Sequence, residues 1–179
     1  LGAKTAIVER EWLGGTCLNC GCIPTKTIIA SSSLYRNIGK AATFGINVEN
    51  AQVDYAKIAT RKNKIVETLK NGIASLLKAN KVKVYAGEAS FTGPKSVVVK
   101  ENTSNETAIK ADKIIIATGS KSSLPSFIPQ HERIVDSRSF LELKELPASL
   151  LVLGGGYIGC EMAEMVAALG VKVTIVEVI

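Results

Sequence analysis

Three spaced glycines, Gly154, Gly156 and Gly159, follow directly on the apolar run Leu150 to Leu153 and precede a segment, Glu161 to Leu169, whose apolar residues recur at helical spacing up to Gly170. That order predicts a unit of strand, glycine turn, helix and second strand. The spacing has separable physical reasons: Gly154 permits a tight turn, Gly156 lets the backbone approach a pyrophosphate, and Gly159 lets the helix close on the strand. The helix N-terminus then offers unpaired amides and the positive end of its dipole to phosphate. Glu177, at the tip of the second strand, is placed to accept from the hydroxyls of an adenosine ribose. Dinucleotide binding is the expectation.

The same signal occurs twice. LGVKVTIVE, Leu169 to Glu177, matches LGAKTAIVE, Leu1 to Glu9, at six of nine positions. If the first stretch carries the same meaning, Glu9 is also a ribose-binding acid, and its own strand, glycine loop and helix are expected upstream of Leu1. A strand ending near Ile179 is likewise expected to lead into further helices and strands, so both ends are expected to lie inside a longer chain.

Composition narrows the class. With 46% hydrophobic and 21% charged residues in 179, the chain has the balance of a globular protein rather than a disordered one. Its longest apolar runs fall far short of the ~20 residues that span a bilayer, so no membrane association is expected. No secretory leader pattern opens the sequence shown. The formal net charge of +6 suggests nucleic acid. However, Lys57, Arg61, Lys62, Lys64, Lys70, Lys78, Lys81 and Lys83 are interleaved with Ile58, Ile65, Leu69, Ile73 and Leu76 at helical spacing, which predicts a solvated basic face on an amphipathic helix and no nucleic-acid partner.

Asp54 can cap that helix, which should run to about Asn80. Three strands are then expected, over Val82 to Tyr85, Val97 to Lys100 and Ala108 to Ile116, separated by polar turns. The small residues Ala117, Thr118, Gly119 and Ser120 after the last strand would let backbone meet a ligand, or would simply form a turn leaving the core. Pro125, Pro129 and Pro147 mark a connector between domains. His131, the single histidine, reads as a solvated loop residue.

Four cysteines, three of them at Cys17, Cys20 and Cys22, are too few and too clustered for a secreted disulfide scaffold. A zinc site would need a fourth ligand, from Cys160 or His131. A thioredoxin-like pair at Cys17 and Cys20 would want its own small fold. A redox disulfide between Cys17 and Cys22 would need a distorted helix, since five residues of regular helix rise ~7.5 Å, beyond the ~7 Å Cα limit for a disulfide. Gly21 and Pro24 suit such a distortion.

The run GGTCLNCGCIPTK, Gly14 to Lys26, closely resembles the signature of the flavin-dependent pyridine nucleotide-disulfide oxidoreductases, and most nearly that of their dihydrolipoamide-oxidising branch. Glu9 before the glycines, IIIATGS at Ile114 to Ser120 and GGGYIGCE at Gly154 to Glu161 extend the likeness over essentially the whole chain. The resemblance implies an α/β protein of FAD- and NAD(P)-binding Rossmann-like domains with a three-stranded β insertion, truncated at both ends. Residues 1–120 would be the FAD-binding domain lacking its first strand and glycine loop, 121–148 a connector and 149–179 the first βαβ unit of the NAD-binding domain.

It also implies roles. Cys22 would be the thiol nearest the flavin and Cys17 the interchange thiol that meets substrate sulfur. Lys26 would lie by the flavin's reactive edge with Glu161 as its ion-pair partner. Glu9, Arg10, Gly14, Gly15, Thr16, Lys26, Ala89 and the backbone at Ala117, Thr118, Gly119 and Ser120 would hold FAD. Gly154, Gly156, Tyr157, Ile158, Gly159, Glu161 and Glu177 would serve the pyridine nucleotide, and an acid at 177 rather than a base favours NAD over NADP. The reaction implied is oxidation of dihydrolipoamide, carried on an acyltransferase subunit of 2-oxo acid dehydrogenase complexes, by a cytoplasmic homodimer whose catalytic histidine-glutamate base and first FAD glycine loop lie outside this sequence. Glutathione- or mercuric-reductase-like activity, and a non-catalytic dinucleotide-binding module with metal-holding cysteines, are the alternatives. Two departures stand out: Cys20 occupies a position that is usually aliphatic, and Ala89 one that is often glycine.

Overall fold

The structure, a computed structural model, describes residues 2–103 and 105–178. Leu1, which begins the first repeated stretch, Ser104, in the turn before Thr107, and Ile179 lie outside the described residues. The chain divides into two units, Leu1–Gly15 with Thr68–Ser120, and Thr16–Glu67 with Lys121–Ile179.

In the first unit, β1 (Ala6–Glu9) lies parallel to β2 (Lys83–Gly93), with Ala6 opposite Lys83 and Glu9 opposite Ala86. β2 then turns through β3 (Ser96–Glu101) into β4 (Glu106–Lys110), an antiparallel meander that completes the sheet order β1-β2-β3-β4. The three strands expected between Val82 and Ile116 are thus present, with two changes of extent. β2 continues well past Tyr85, because its residues from Gly87 onward pair with β3. β4 stops at Lys110, and Ile114, Ile115, Ile116 and Ala117 are not in a strand. A strand requires a ladder partner, and none of the described strands pairs with this run; Ile115 and Ile116 are correspondingly 89% and 69% exposed.

The second unit contains the predicted βαβ motif. β5 (Ser149–Leu153) and β6 (Lys172–Val176) are parallel, joined by α5 (Tyr157–Ala167). The helix begins four residues before the apolar periodicity does. Its first turn carries exposed Tyr157 and Ile158, which give no burial pattern to read. Gly170, with φ +95°, ends the turn that returns the chain to β6.

Before these elements come α1 (Gly15–Cys20), α2 (Cys22–Ile38) and a short 3-10 helix (Ala41–Phe44). α3 (Tyr55–Ala79) supplies residues to both units, and α4 (Ser137–Phe140) lies in the second. Asp54 caps α3 as expected, its carboxylate accepting from the Lys57 amide at 3.0 Å. The core of the second unit joins Ile28 of α2, Tyr55 of α3, Phe140 and Leu141, and Met162, Met165 and Val166 of α5. Burying each such large apolar side chain contributes about 1.5–3 kcal/mol.

The solvated basic face needs one correction. Lys62 is buried, donating to the Leu141 carbonyl at 2.7 Å and to the Glu142 carboxylate at 3.3 Å. A long aliphatic stem can cross apolar packing when its ammonium finds acceptors at the far end, and helical spacing alone cannot register that. The apolar stripe is also only partly covered, since Leu69 and Leu76 are exposed.

Candidate functional site

The cysteine segment is two helices, not one. α1 ends at Cys20 and α2 begins at Cys22, with Gly21 between them at φ −132° and ψ −119°. A Cβ at Gly21 would lie 2.9 Å from the Thr16 carbonyl oxygen and 3.1 Å from Cys17 Cα, so only glycine lets the chain fold back this closely. Pro24 sits in the first turn of α2, where its missing N–H costs no helical bond. Thr25 closes the turn by donating its hydroxyl to Gly21 O at 2.8 Å.

The break brings Cys17 and Cys22 together. The Cys22 side chain is the first cause holding the Cys17 thiol above its ordinary pKa, followed by slight desolvation and the charge of Cys22. Both residues are exposed, and the four cysteines, including Cys160, carry no disulfide. Cys160 instead donates its thiol to the Gly155 carbonyl at 3.1 Å. Among the described residues, no three or more of His, Cys, Asp and Glu are grouped so as to hold a metal ion.

One turn along α2, exposed Lys26 forms an ion pair with Glu161 of α5, the partner the sequence reading named. A second pair, Arg36 Nη1 to Glu164 Oε1 at 2.6 Å, joins the same two helices. Sequence reasoning passed over it. Its only sequence signal is that Glu164 lies one turn beyond Glu161 on the helix.

The second glycine turn has the shape a pyrophosphate requires. A Cβ at Gly159 would meet the Gly154 carbonyl oxygen at 2.1 Å and Val152 Cγ1 at 3.1 Å, whereas one at Gly156 would meet nothing within 4 Å. Gly159 therefore serves helix-strand closeness and Gly156 leaves open space for a ligand. Gly156 caps α5 without a side-chain bond, so no capping side chain competes for the first-turn amides. Glu177, just past β6, accepts from the Gly155 amide. These residues fit a dinucleotide: open backbone at the turn, a helix N-terminus behind it, and a carboxylate at the neighbouring strand tip.

In the first unit, Glu9 ends β1 as Glu177 follows β6, and it accepts from the Glu11 amide at 2.8 Å. Arg10 pairs with Glu88 at 3.6 Å, and both line a cavity of about 410 Å³ together with Ser90, Lys100 and Asn102. Ala89 is exposed on β2 opposite Val99. Gly14 and Gly15 take φ of +102° and +65°, Gly119 takes +73°, and Ala117, Thr118 and Ser120 are exposed; Thr16, which begins the second unit, is exposed there. A carboxylate at a strand tip, bare backbone and a polar cavity also suit the adenosine end of a dinucleotide.

Comparison with known proteins agrees with this geometry. The profile of the family described as pyridine nucleotide-disulphide oxidoreductase matches residues 1–179. Dihydrolipoyl dehydrogenase of Chlamydia pneumoniae is 41% identical over 97% of this chain and 37% of that protein. Dihydrolipoyl dehydrogenase of Geobacillus stearothermophilus is 44% identical over 99% of this chain and 37% of its own length. Among solved structures, the HOCl-induced flavoprotein disulfide reductase RclA of Escherichia coli superposes with a TM-score of 0.82 at 35% identity, covering 98% of this chain and 37% of that one. LpdA of Mycobacterium tuberculosis gives 0.86 at 28% identity over 97% of this chain and 39% of that one. The chain therefore spans a little over a third of the relatives it matches, and its α/β fold is that of their Rossmann-type flavoprotein region. By family profile, by relatives and by fold, this chain belongs to the pyridine nucleotide-disulphide oxidoreductases.

Proposed function

We propose that this chain serves a dihydrolipoyl dehydrogenase, oxidising dihydrolipoamide to lipoamide through a redox disulfide between Cys17 and Cys22. The observation that carries the reading is the helix break at Gly21, where the chain folds back so far that a Cβ would lie 3.1 Å from Cys17 Cα, and which sets the Cys22 side chain to act on the Cys17 thiol. The relatives named above supply the substrate class, and the partner is an acyltransferase subunit of a 2-oxo acid dehydrogenase complex.

The chemistry at sulfur balances. A substrate thiolate attacks Cys17 Sγ, the Cys17–Cys22 bond breaks, and Cys22 leaves as thiolate. The second substrate thiolate attacks the mixed disulfide, lipoamide forms, and Cys17 leaves reduced. Bound FAD would accept the electron pair from the dithiol side and deliver it as hydride to NAD. Lys26, held by Glu161, places a positive charge one turn from Cys22 and favours negative charge developing beside it. Glu9, Arg10, Gly14, Gly15, Thr16, Lys26, Ala89 and Ala117 to Ser120 are assigned to FAD. Gly154, Gly156, Tyr157, Ile158, Gly159, Glu161 and Glu177 are assigned to NAD, the carboxylate of Glu177 disfavouring a 2′-phosphate. By ligand, residues 1–120 belong to the FAD-binding domain, 121–148 to the connector and 149–179 to the NAD-binding domain. A cytoplasmic homodimer is the assembly proposed.

The test is an anaerobic NADH titration of the flavin-loaded protein, with Cys22→Ser alongside. A long-wavelength absorption band after one equivalent, absent in the variant, is the expected result. Bleaching without that band, or a colourless protein with stoichiometric zinc, would overturn the reading in favour of structural or metal-holding cysteines.

A further inference from the structure

Cys20 is left unused by the reaction above, yet the helix break gives it a defined place. α1 runs unbroken from Gly15 through Cys17 to Cys20, and the chain turns only at Gly21. In such a helix, residues three apart have Cα atoms about 5 Å from one another, inside the 4.4–6.8 Å range that disulfides span, and Cβ atoms about 5–6 Å apart, so a bond closes with roughly 1 Å of local adjustment in α1. Cys17 therefore has two sulfur neighbours by two different routes. Cys22 comes near it because the backbone breaks, and Cys20 is its neighbour one helical turn on in the six-residue α1. Cys20 is half-buried between two exposed cysteines.

We propose that Cys20 is a third redox thiol that exchanges with the Cys17–Cys22 disulfide and parks the oxidised protein as a Cys17–Cys20 disulfide. The inference rests on the disulfide reading above. In the step, Cys20 gives its proton to water and its thiolate attacks Cys17 Sγ. The Cys17–Cys22 bond breaks, the Cys17–Cys20 bond forms, and Cys22 leaves as thiolate. One S–S bond replaces another, so no oxidant or reductant is consumed. The parked form keeps the oxidising equivalent while removing Cys22, the residue assigned to the flavin side, from the disulfide.

The experiment is thiol mapping of the oxidised, flavin-loaded protein. Quenching in acid halts exchange because thiolate is its nucleophile. Remaining thiols are alkylated, the unreduced protein is cut at Arg10 and Lys26, and the labelled cysteine is located by mass spectrometry. Label on Cys20 reports the Cys17–Cys22 form, and label on Cys22 reports the parked form. Both are expected in the unmodified protein. Cys20→Ser should lose the parked form and keep the Cys17–Cys22 link, and Cys22→Ser oxidised with diamide should form Cys17–Cys20. If label appears on Cys20 alone within the segment and Cys17 and Cys20 are both still labelled in oxidised Cys22→Ser, the third-thiol proposal fails and the Cys17–Cys22 reading stands. Should Cys17 and Cys22 both be labelled in the oxidised protein and in Cys20→Ser alike, both readings fall.

Discussion

The Cys22 side chain acts on the Cys17 thiol across a helix break that a single glycine makes possible, and it, more than burial, holds that thiol above its ordinary pKa.

Removing Cys22 should make Cys17 more acidic. The Cys22 contact raises the Cys17 pKa, so Cys22→Ala removes the principal raising cause and returns it toward the ordinary thiol value. Because thiolate is the reactive form, the pH profile of Cys17 alkylation should move to lower pH. An unmoved or raised inflection would show that the contact does not govern this thiol.

Alanine at two glycines of one turn should separate folding from binding. Gly159→Ala forces a methyl against the Gly154 carbonyl and Val152 and should cost about 1–3 kcal/mol in urea unfolding. Gly156→Ala meets open space in an extended conformation, so it should change stability by less than about 1 kcal/mol. It should still weaken nucleotide binding about tenfold by calorimetry, since the methyl stands where backbone is proposed to meet pyrophosphate.

Lys62 and Glu142 should contribute unequally. Lys62→Ala leaves the Leu141 carbonyl unsatisfied and empties a packed space, which should cost about 2–4 kcal/mol. Glu142 is largely exposed and the ammonium keeps the carbonyl without it, so Glu142→Gln should cost at most about 1 kcal/mol. Equal losses in denaturant titrations of the two variants would contradict this division.

Asp136 should carry an acid-side stability dependence. Its carboxylate accepts from the Ser139 hydroxyl at 2.7 Å and amide at 2.8 Å, and these bonds, the hydroxyl first, hold its pKa below the usual carboxylate value. With the folded pKa depressed, the contribution is full above the unfolded value and is lost as pH falls through the folded one. Asp136→Ala should cost about 1 kcal/mol at neutral pH, and the difference from the unmodified protein should shrink in acid.

Much of the site was legible because it is written in local chemistry. The glycines at 154, 156 and 159, the acids at 9 and 177 and the cysteines around Gly21 sit where backbone geometry demands particular residue types, and such demands are visible one residue at a time. Ile114 to Ile116 read as strand because three successive isoleucines state an intention to be buried, while a strand exists only where a neighbour pairs with it. Lys62 was misread as solvated because its type speaks for exposure, and only packing could supply the Leu141 carbonyl. The start of α5 was missed for the opposite reason, since an exposed first turn leaves no periodicity.

By itself the sequence determined the βαβ motif, the clustering of cysteines around a glycine and a proline, and the family to which they belong, since spacing, turn chemistry and residue type are properties of neighbours along the chain. Tertiary structure alone decided that Arg36 meets Glu164, that Lys62 is buried, and that the Cys22 side chain acts on the Cys17 thiol. Those outcomes depend on distances between atoms that only folding brings together.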